Sequence, residues 1–171
     1  SMTYVPQDGT VAPKVVERKY ALPGDKHVVQ YRMLVIDVAT GDEITVDYRP
    51  IEDSFAWLCP MSGNLAGWSG DGRHVYFLDV ARGQKSLKLV SVDVQTGNSS
   101  ILFEESSATY IQFGYFEAPA MLMPLPETNE LIWFSERSGW AHLYLYDLAT
   151  GELKSTVTSG DWLVRDLLHF D

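Results

Sequence analysis

The sequence predicts an all-β fold, a partial β-propeller built from four-stranded antiparallel blades, and three observations predict it. One small device, an aspartate leading into a Thr-Gly turn, occurs three times: VIDVATGDEI at 35–44, SVDVQTGNSS at 91–100 and YLYDLATGEL at 144–153. Its aspartates, Asp37, Asp93 and Asp147, are spaced 56 and 54 residues apart. Each copy is flanked by short strand-like runs, and the run before the last copy shows the period-two alternation of a strand. Gly, Pro and β-branched residues also interrupt every stretch long enough for a helix. A self-similar period of this length with four strands per unit is the mark of propeller blades, longer than the ~40–45 residues of WD repeats and close to the ~50 of kelch units. A sandwich also uses many short strands, but it has no reason to reuse one turn at fixed spacing.

The elements follow in order. The chain divides into the end of one blade (1–50), a blade (51–106), a second blade (107–160) and the first strand of another unit (161–171). In the first part, strands at 33–38 and 43–47 flank the turn, a tight hairpin in which glycine takes the positive φ that other residues resist. In the next blade a first strand falls around 55–58. The turn Trp68-Ser69-Gly70-Asp71-Gly72 then leads into HVYFLDV (74–80), and strands at 87–94 and 99–103 complete the unit. The following blade has its first strand around 110–113. The turn Pro126-Glu127-Thr128-Asn129 leads into ELIWFS (130–135), and strands follow at 142–148 and 153–158. Along 142–148, Leu143, Leu145 and Asp147 point one way and Tyr144, Tyr146 and Leu148 the other. The stretch 162–170 reads as the opening strand of a further unit.

A closed propeller typically has four to eight blades. Two blades with parts of two others are too few, and the open edges are expected to pair with another copy. Ser1-Met2-Thr3 resembles the scar of tag cleavage, so an excised piece of a longer protein is expected.

Composition narrows the function classes. The chain has 171 residues, 46% hydrophobic and 21% charged, enough apolar side chain to fill a core. Thirteen basic against 23 acidic residues give a net charge of −10, and no basic cluster exists to displace counterions from nucleic acid or an anionic membrane. Cys59 is the single cysteine, which excludes an intrachain disulfide and a thiolate zinc site. No apolar run reaches the ~18–20 residues of a membrane span, and the first residues do not read as a signal peptide.

No motif here carries catalysis. Gly67-Trp68-Ser69-Gly70-Asp71 fails the G-x-S-x-G elbow at its fifth position and sits in a β turn, so Ser69 is read as structural. His27, His74, His142 and His169 are far apart and lack metal-ligand spacing; His142 is expected to hydrogen-bond locally. Glu104 and Glu105 read as a solvated turn at the end of a strand. Trp68, Trp133, Trp140 and Trp162 are expected to pack between blades. Asn98-Ser99-Ser100 fits a glycosylation sequon, but Asn after a tight turn is read as conformational. No catalytic residue, metal ligand or cofactor is assigned.

The residues also carry a resemblance. FLDVARGQKSLKLVSVDVQTG (77–97) and LPETNELIWFSERSGWAHLYLYDLATGELKSTVTSGDW (125–162) resemble the middle propeller blades of the dipeptidyl peptidase IV family. The blade motif Ser-Glu-Arg-x-Gly-Trp-x-His-Leu-Tyr-Leu-Tyr-Asp stands intact at 135–147, and Trp68-Ser69-Gly70-Asp71-Gly72 is similar to the family's Trp-Ser-Pro-Asp-Gly turn with glycine in place of proline. Residues 20–25 resemble the Tyr-Pro-x-Ala-Gly segment, although His27-Val28 stands where the family shows Asn-Pro. The resemblance implies a parent serine exopeptidase, an eight-bladed propeller joined to a C-terminal α/β-hydrolase domain, which removes Xaa-Pro or Xaa-Ala dipeptides from peptide amino termini. The nucleophile, Asp and His would lie in the hydrolase domain, and a glutamate pair within Asp-Trp-x-Tyr-Glu-Glu-Glu would hold the free amine. Neither part occurs in this chain. A periplasmic or secreted location follows from the family alone.

In the family a stretch like Tyr110 to Glu117 lends aromatic and arginine contacts to the substrate pocket. Phe113 and Tyr115 are therefore the candidate substrate-binding residues; the arginine is missing, and core packing is the competing role. Expected partners are a peptide substrate and the hydrolase domain of the same parent chain, with no nucleic acid and no membrane. The alternatives are a catalytically inactive propeller scaffold for protein–protein interaction, or the propeller of an acylaminoacyl or prolyl oligopeptidase.

Overall fold

The strand-like runs around the three Thr-Gly turns all form strands in the structure, a computed structural model that describes residues 2–4, 14–16, 21–22, 24–52, 66–112 and 122–168. The leading part is built of two-stranded pieces. Strand β1 (Met2–Tyr4) pairs with β2 (Lys14–Val16), which the sequence reading did not foresee. Strand β3 (Gln30–Tyr31) pairs with the later β6 (Ile51–Glu52), and β4 (Leu34–Ile36) pairs with β5 (Glu43–Thr45) across the first Thr-Gly turn.

Two four-stranded antiparallel sheets follow, and they are the blades. The first comprises β7 (Ala66–Trp68), β8 (His74–Val80), β9 (Ser86–Asp93) and β10 (Ser99–Ser106) in sequential order. The second comprises β11 (Leu122–Leu125), β12 (Glu130–Ser135), β13 (His142–Asp147) and β14 (Leu153–Thr156), again in order. The molecule is a partial β-propeller.

Two predicted strands are corrected. Residues 110–112 are irregular, and the first strand of the second sheet is β11 instead. Residues 162–168 are likewise irregular, joined to the sheet by one backbone bond from Val164 N to the Ala141 carbonyl (2.8 Å) rather than by a ladder. The segment expected as a strand at 55–58 lies outside the described residues; the strand that pairs with β8 is β7. Both inner strands sit at the free edge of their sheet, where Pro124 needs to donate no ladder bond.

The two sheets are buried on both faces, which a blade wedged between neighbours requires. Val75, Phe77, Val90 and Val92 face the leading hairpins and pack with Val46 and Ile51. Tyr76, Leu78, Leu87 and Leu89 point the other way, onto Leu131, Trp133, Tyr144 and Tyr146 of the second sheet. The far face of that sheet, Ile132, Phe134 and Leu143, is covered by Val164 and Leu167.

The repeated turn explains how blades meet. In all three copies the aspartate Oδ1 accepts the amides two and three residues on: Ala39 and Thr40 at Asp37, Gln95 and Thr96 at Asp93, Ala149 and Thr150 at Asp147, at 2.8–3.1 Å. The glycine amide returns to the aspartate carbonyl, at 2.8 Å for both Gly97 and Gly151. Gly97 (φ 76°) and Gly151 (φ 75°) also press against the last strand of the preceding unit. A Cβ on Gly97 would lie 2.6 Å from the Thr45 carbonyl, and one on Gly151 would strike the Leu102 backbone. Only glycine satisfies both the left-handed backbone and the contact.

Candidate functional site

The sequence-nominated residues Phe113 and Tyr115 lie outside the described residues. Just before them, Ile111 is buried and its amide donates to the Gln84 carbonyl (2.8 Å). Of the other nominees, His169 lies outside the described residues, and Ser69 and His142 are structural. Ser69 Oγ donates to Asp71 Oδ1 (2.7 Å) and accepts the His74 amide (2.9 Å), closing the β7–β8 turn. His142 is buried, with Nδ1 3.0 Å from Thr158 Oγ1 and Nε2 2.9 Å from the Gly160 carbonyl, so both ring nitrogens are engaged. Asn98 accepts the Asp93 amide through its carbonyl (2.9 Å). Of the tryptophans, Trp133 is fully buried between the blades, whereas Trp68, Trp140 and Trp162 are about half exposed. Among the described residues no three His, Cys, Asp or Glu side chains converge as a metal site.

Glu105 overturns its reading as part of a solvated turn. Its carboxylate is buried at the seam between the blades, where it accepts Trp133 Nε1 (2.8 Å), Ser135 Oγ (2.5 Å) and an Arg137 nitrogen (2.5 Å). Arg137 in turn donates to the Tyr146 hydroxyl (2.6 Å) and lies over the Tyr144 ring. The local sequence offers only adjacent carboxylates; Glu105's partners arrive from about thirty residues away through folding. The preceding seam has its own lock. Asp79, buried on β8, accepts Arg49 (2.5 Å) and the Tyr48 hydroxyl (2.7 Å). Burial first, then that hydrogen bond, pushes the Tyr48 phenol above its usual range.

A cleft of about 540 Å³ opens between the two blades, lined by Asp71, His74, Tyr76, Ser91, Ser100 and Leu148 among others. Tyr76, Ser91 and Ser100 form one rung across three adjacent strands, since Tyr76 pairs with Ser91 and Ser91 with Ser100. The opposite wall comes from the Pro126–Asn129 turn and the third Thr-Gly turn. The blades approach closely here: a Cβ on Gly70 would lie 2.5 Å from the Pro126 carbonyl, which is why this chain has no room for a proline side chain at that turn position.

The comparisons with known proteins agree with this architecture. The whole chain, residues 1–171, matches the family described as the dipeptidyl peptidase IV (DPP IV) N-terminal region. It is 30% identical over 142 residues to the probable dipeptidyl peptidase 4 of Aspergillus fumigatus, covering 80% of this chain and 17% of that one. It is 25% identical over 163 residues to the probable dipeptidyl peptidase 4 of Trichophyton verrucosum, covering 93% and 20%. The chain thus spans about a fifth of the length of these curated relatives. In three dimensions it is similar to a putative dipeptidyl aminopeptidase IV from Bacteroides ovatus (TM-score 0.61, 20% identity, 84% of this chain and 25% of the other). Porphyromonas gingivalis dipeptidyl peptidase 4 gives a TM-score of 0.59 at 17% identity, with 84% and 23% covered. With blades, seams and repeated turns in place, the chain belongs to the family of dipeptidyl peptidase IV N-terminal regions.

Proposed function

We propose that this chain is a non-catalytic propeller segment of a dipeptidyl peptidase IV-like serine exopeptidase, which removes Xaa-Pro or Xaa-Ala dipeptides from peptide amino termini. The observation that carries this reading is the family match along all 171 residues. In the intact enzyme the propeller gates access and positions the peptide, while the hydrolase domain of the same parent chain supplies the nucleophile, base and oxyanion hole. The residues of this segment contribute stiffness: the Glu105 and Asp79 locks hold each blade at a fixed angle to the next, and a rigid ring wall is what orients a substrate before attack. The chemistry is left to the partner domain, because the serine and histidine that could invite a catalytic reading, Ser69 and His142, are committed to a turn and to strand ends.

The test compares the 171-residue chain with its full-length parent on Gly-Pro-p-nitroanilide. The parent is expected to release p-nitroaniline and the chain alone to match the blank. Turnover by the chain, or an inert parent that carries an intact G-x-S-x-G elbow, overturns the proposal.

A further inference from the structure

The cleft between the blades is lined by two largely buried hydroxyls beside a carboxylate and an apolar wall. Tyr76 is 2% exposed and Ser91 7%, and both line the cleft. Among the described residues neither hydroxyl has a hydrogen-bond partner, although no polar side-chain atom sealed from solvent is left unsatisfied. The two hydroxyls therefore face open space, and that space is the cleft. Water reaching the cleft satisfies them there, and a ligand that reproduces those hydrogen bonds displaces it.

The surroundings indicate the chemistry of that ligand. The β7–β8, β11–β12 and Thr-Gly turns all lie at one end of the antiparallel sheets, and that end is acidic. Asp71, His74 and Asn129 line the cleft, and Asp93 and Asp147 stand on the neighbouring turns. Of the basic groups there, Lys154 is tied to Glu130, and Arg73 is exposed at the tip of the β7–β8 turn. Asp71 uses one oxygen, Oδ1, for Ser69 and the Arg73 amide. Its charge is close enough to Tyr76 to add to burial in raising that phenol's pKa. Leu102, Leu148 and Pro126 give the cleft an apolar side. A carboxylate and two hydroxyls beside an aliphatic wall match a primary ammonium on a methylene chain: the charged end needs three acceptors, and the chain needs apolar cover.

We propose that this inter-blade cleft binds an alkylammonium group, with Asp71, Tyr76 and Ser91 receiving the ammonium and Leu102, Leu148 and Pro126 covering its methylenes. The site belongs to this chain alone and does not rest on the peptidase reading. An ammonium could come from a lysine side chain or from a free diamine, so both are probed.

The experiment titrates the 171-residue chain with N-acetyl-lysine methylamide, 1,5-diaminopentane, N-acetyl-norleucine methylamide and glucose, following amide shifts by NMR. Binding of one or both amines with shifts at Tyr76 and Ser91, weakened by salt, is expected; which amine binds tighter identifies the source. Tyr76→Phe and Ser91→Ala, which leave packing intact, are each expected to weaken binding severalfold, and Asp71→Asn about tenfold or more, as loss of a charged acceptor does. A thermal melt checks Asp71→Asn, whose side chain also serves the turn. Equal binding of norleucine or glucose, no shift with either amine at millimolar concentration, or undiminished affinity in a Tyr76→Phe/Ser91→Ala double variant overturns the proposal.

Discussion

At the scale of the residue, the turn aspartates do chemistry that their exposure hides. Two backbone amides hold each of the Asp93 and Asp147 carboxyls below the usual carboxylate range, and the Ser69 hydroxyl with the Arg73 amide does the same for Asp71. A folded pKa below the unfolded one means that the stabilisation is present above the unfolded value, about 4, and is lost as pH falls through the folded one. The melting temperature is therefore expected to drop on acidification below about pH 4. Asn at both positions keeps the amide acceptor without the charge, so Asp93→Asn/Asp147→Asn should flatten that drop, while Asp147→Ala lowers the melting temperature even at neutral pH. Superimposable acid profiles for the double variant and the native chain would remove the carboxylates from the explanation. Glu105 shows the limit of reading at this scale. Its role depends on Trp133, Ser135 and Arg137, and nothing in the local string ILFEES announces them.

At the scale of the element, the Thr-Gly hairpin is both a turn and a spacer between blades. Gly151→Ala is expected to cost about 1–3 kcal/mol from its positive φ alone, and more because the new methyl meets the Leu102 backbone. Gly139, with φ 91° and nothing within 4 Å of a built Cβ, isolates the first effect. Urea unfolding of Gly139→Ala and Gly151→Ala should show the larger loss at Gly151; equal losses would leave the close approach without energetic weight. The elements themselves were legible unevenly. Strands β8, β9, β12 and β13 are six to eight residues long, rich in β-branched, aromatic and leucine residues, and border turn residues, so pattern alone located them. Strands β7 and β11 have three and four residues, with Gly67 in one and Pro124 in the other, too little for any period to register. The candidate site was scarcely legible at all. Tyr76 and Ser91 are ordinary strand residues until pairing places them on one rung and a neighbouring blade leaves a gap above them.

At the scale of the whole molecule, two open flanks remain. The edge strand β14 is exposed along its length, with Leu153 and Val157 half accessible, and the opposite end shows Leu34, Ile36 and Val38 to solvent. Such edges are templates for pairing, and we propose that copies of this chain associate through them. Light scattering should give a mass that rises with concentration, and Leu153→Lys with Ile36→Lys should hold it at the monomer value; a constant monomeric mass up to millimolar concentration would refute this. The seams between blades carry a second consequence. Arg49 and Glu105 each stand twelve residues after their turn aspartate, and pairing of His74 with Asp93 and of Glu130 with Asp147 makes Asp79 the counterpart of Ser135. One seam sets Arg49 on the carboxylate of the following blade; the next sets Glu105 on a hydroxyl, an indole and a guanidinium of the following blade, and Ala81 holds the place of that guanidinium in the first full blade. A tandem duplication of the first full blade would bring Glu105 of one copy against Asp79 of the next, two buried anions with no cation between them. The two units share an outline without being interchangeable: a copy of the first packs against its own neighbour only if one of those two acids changes with it.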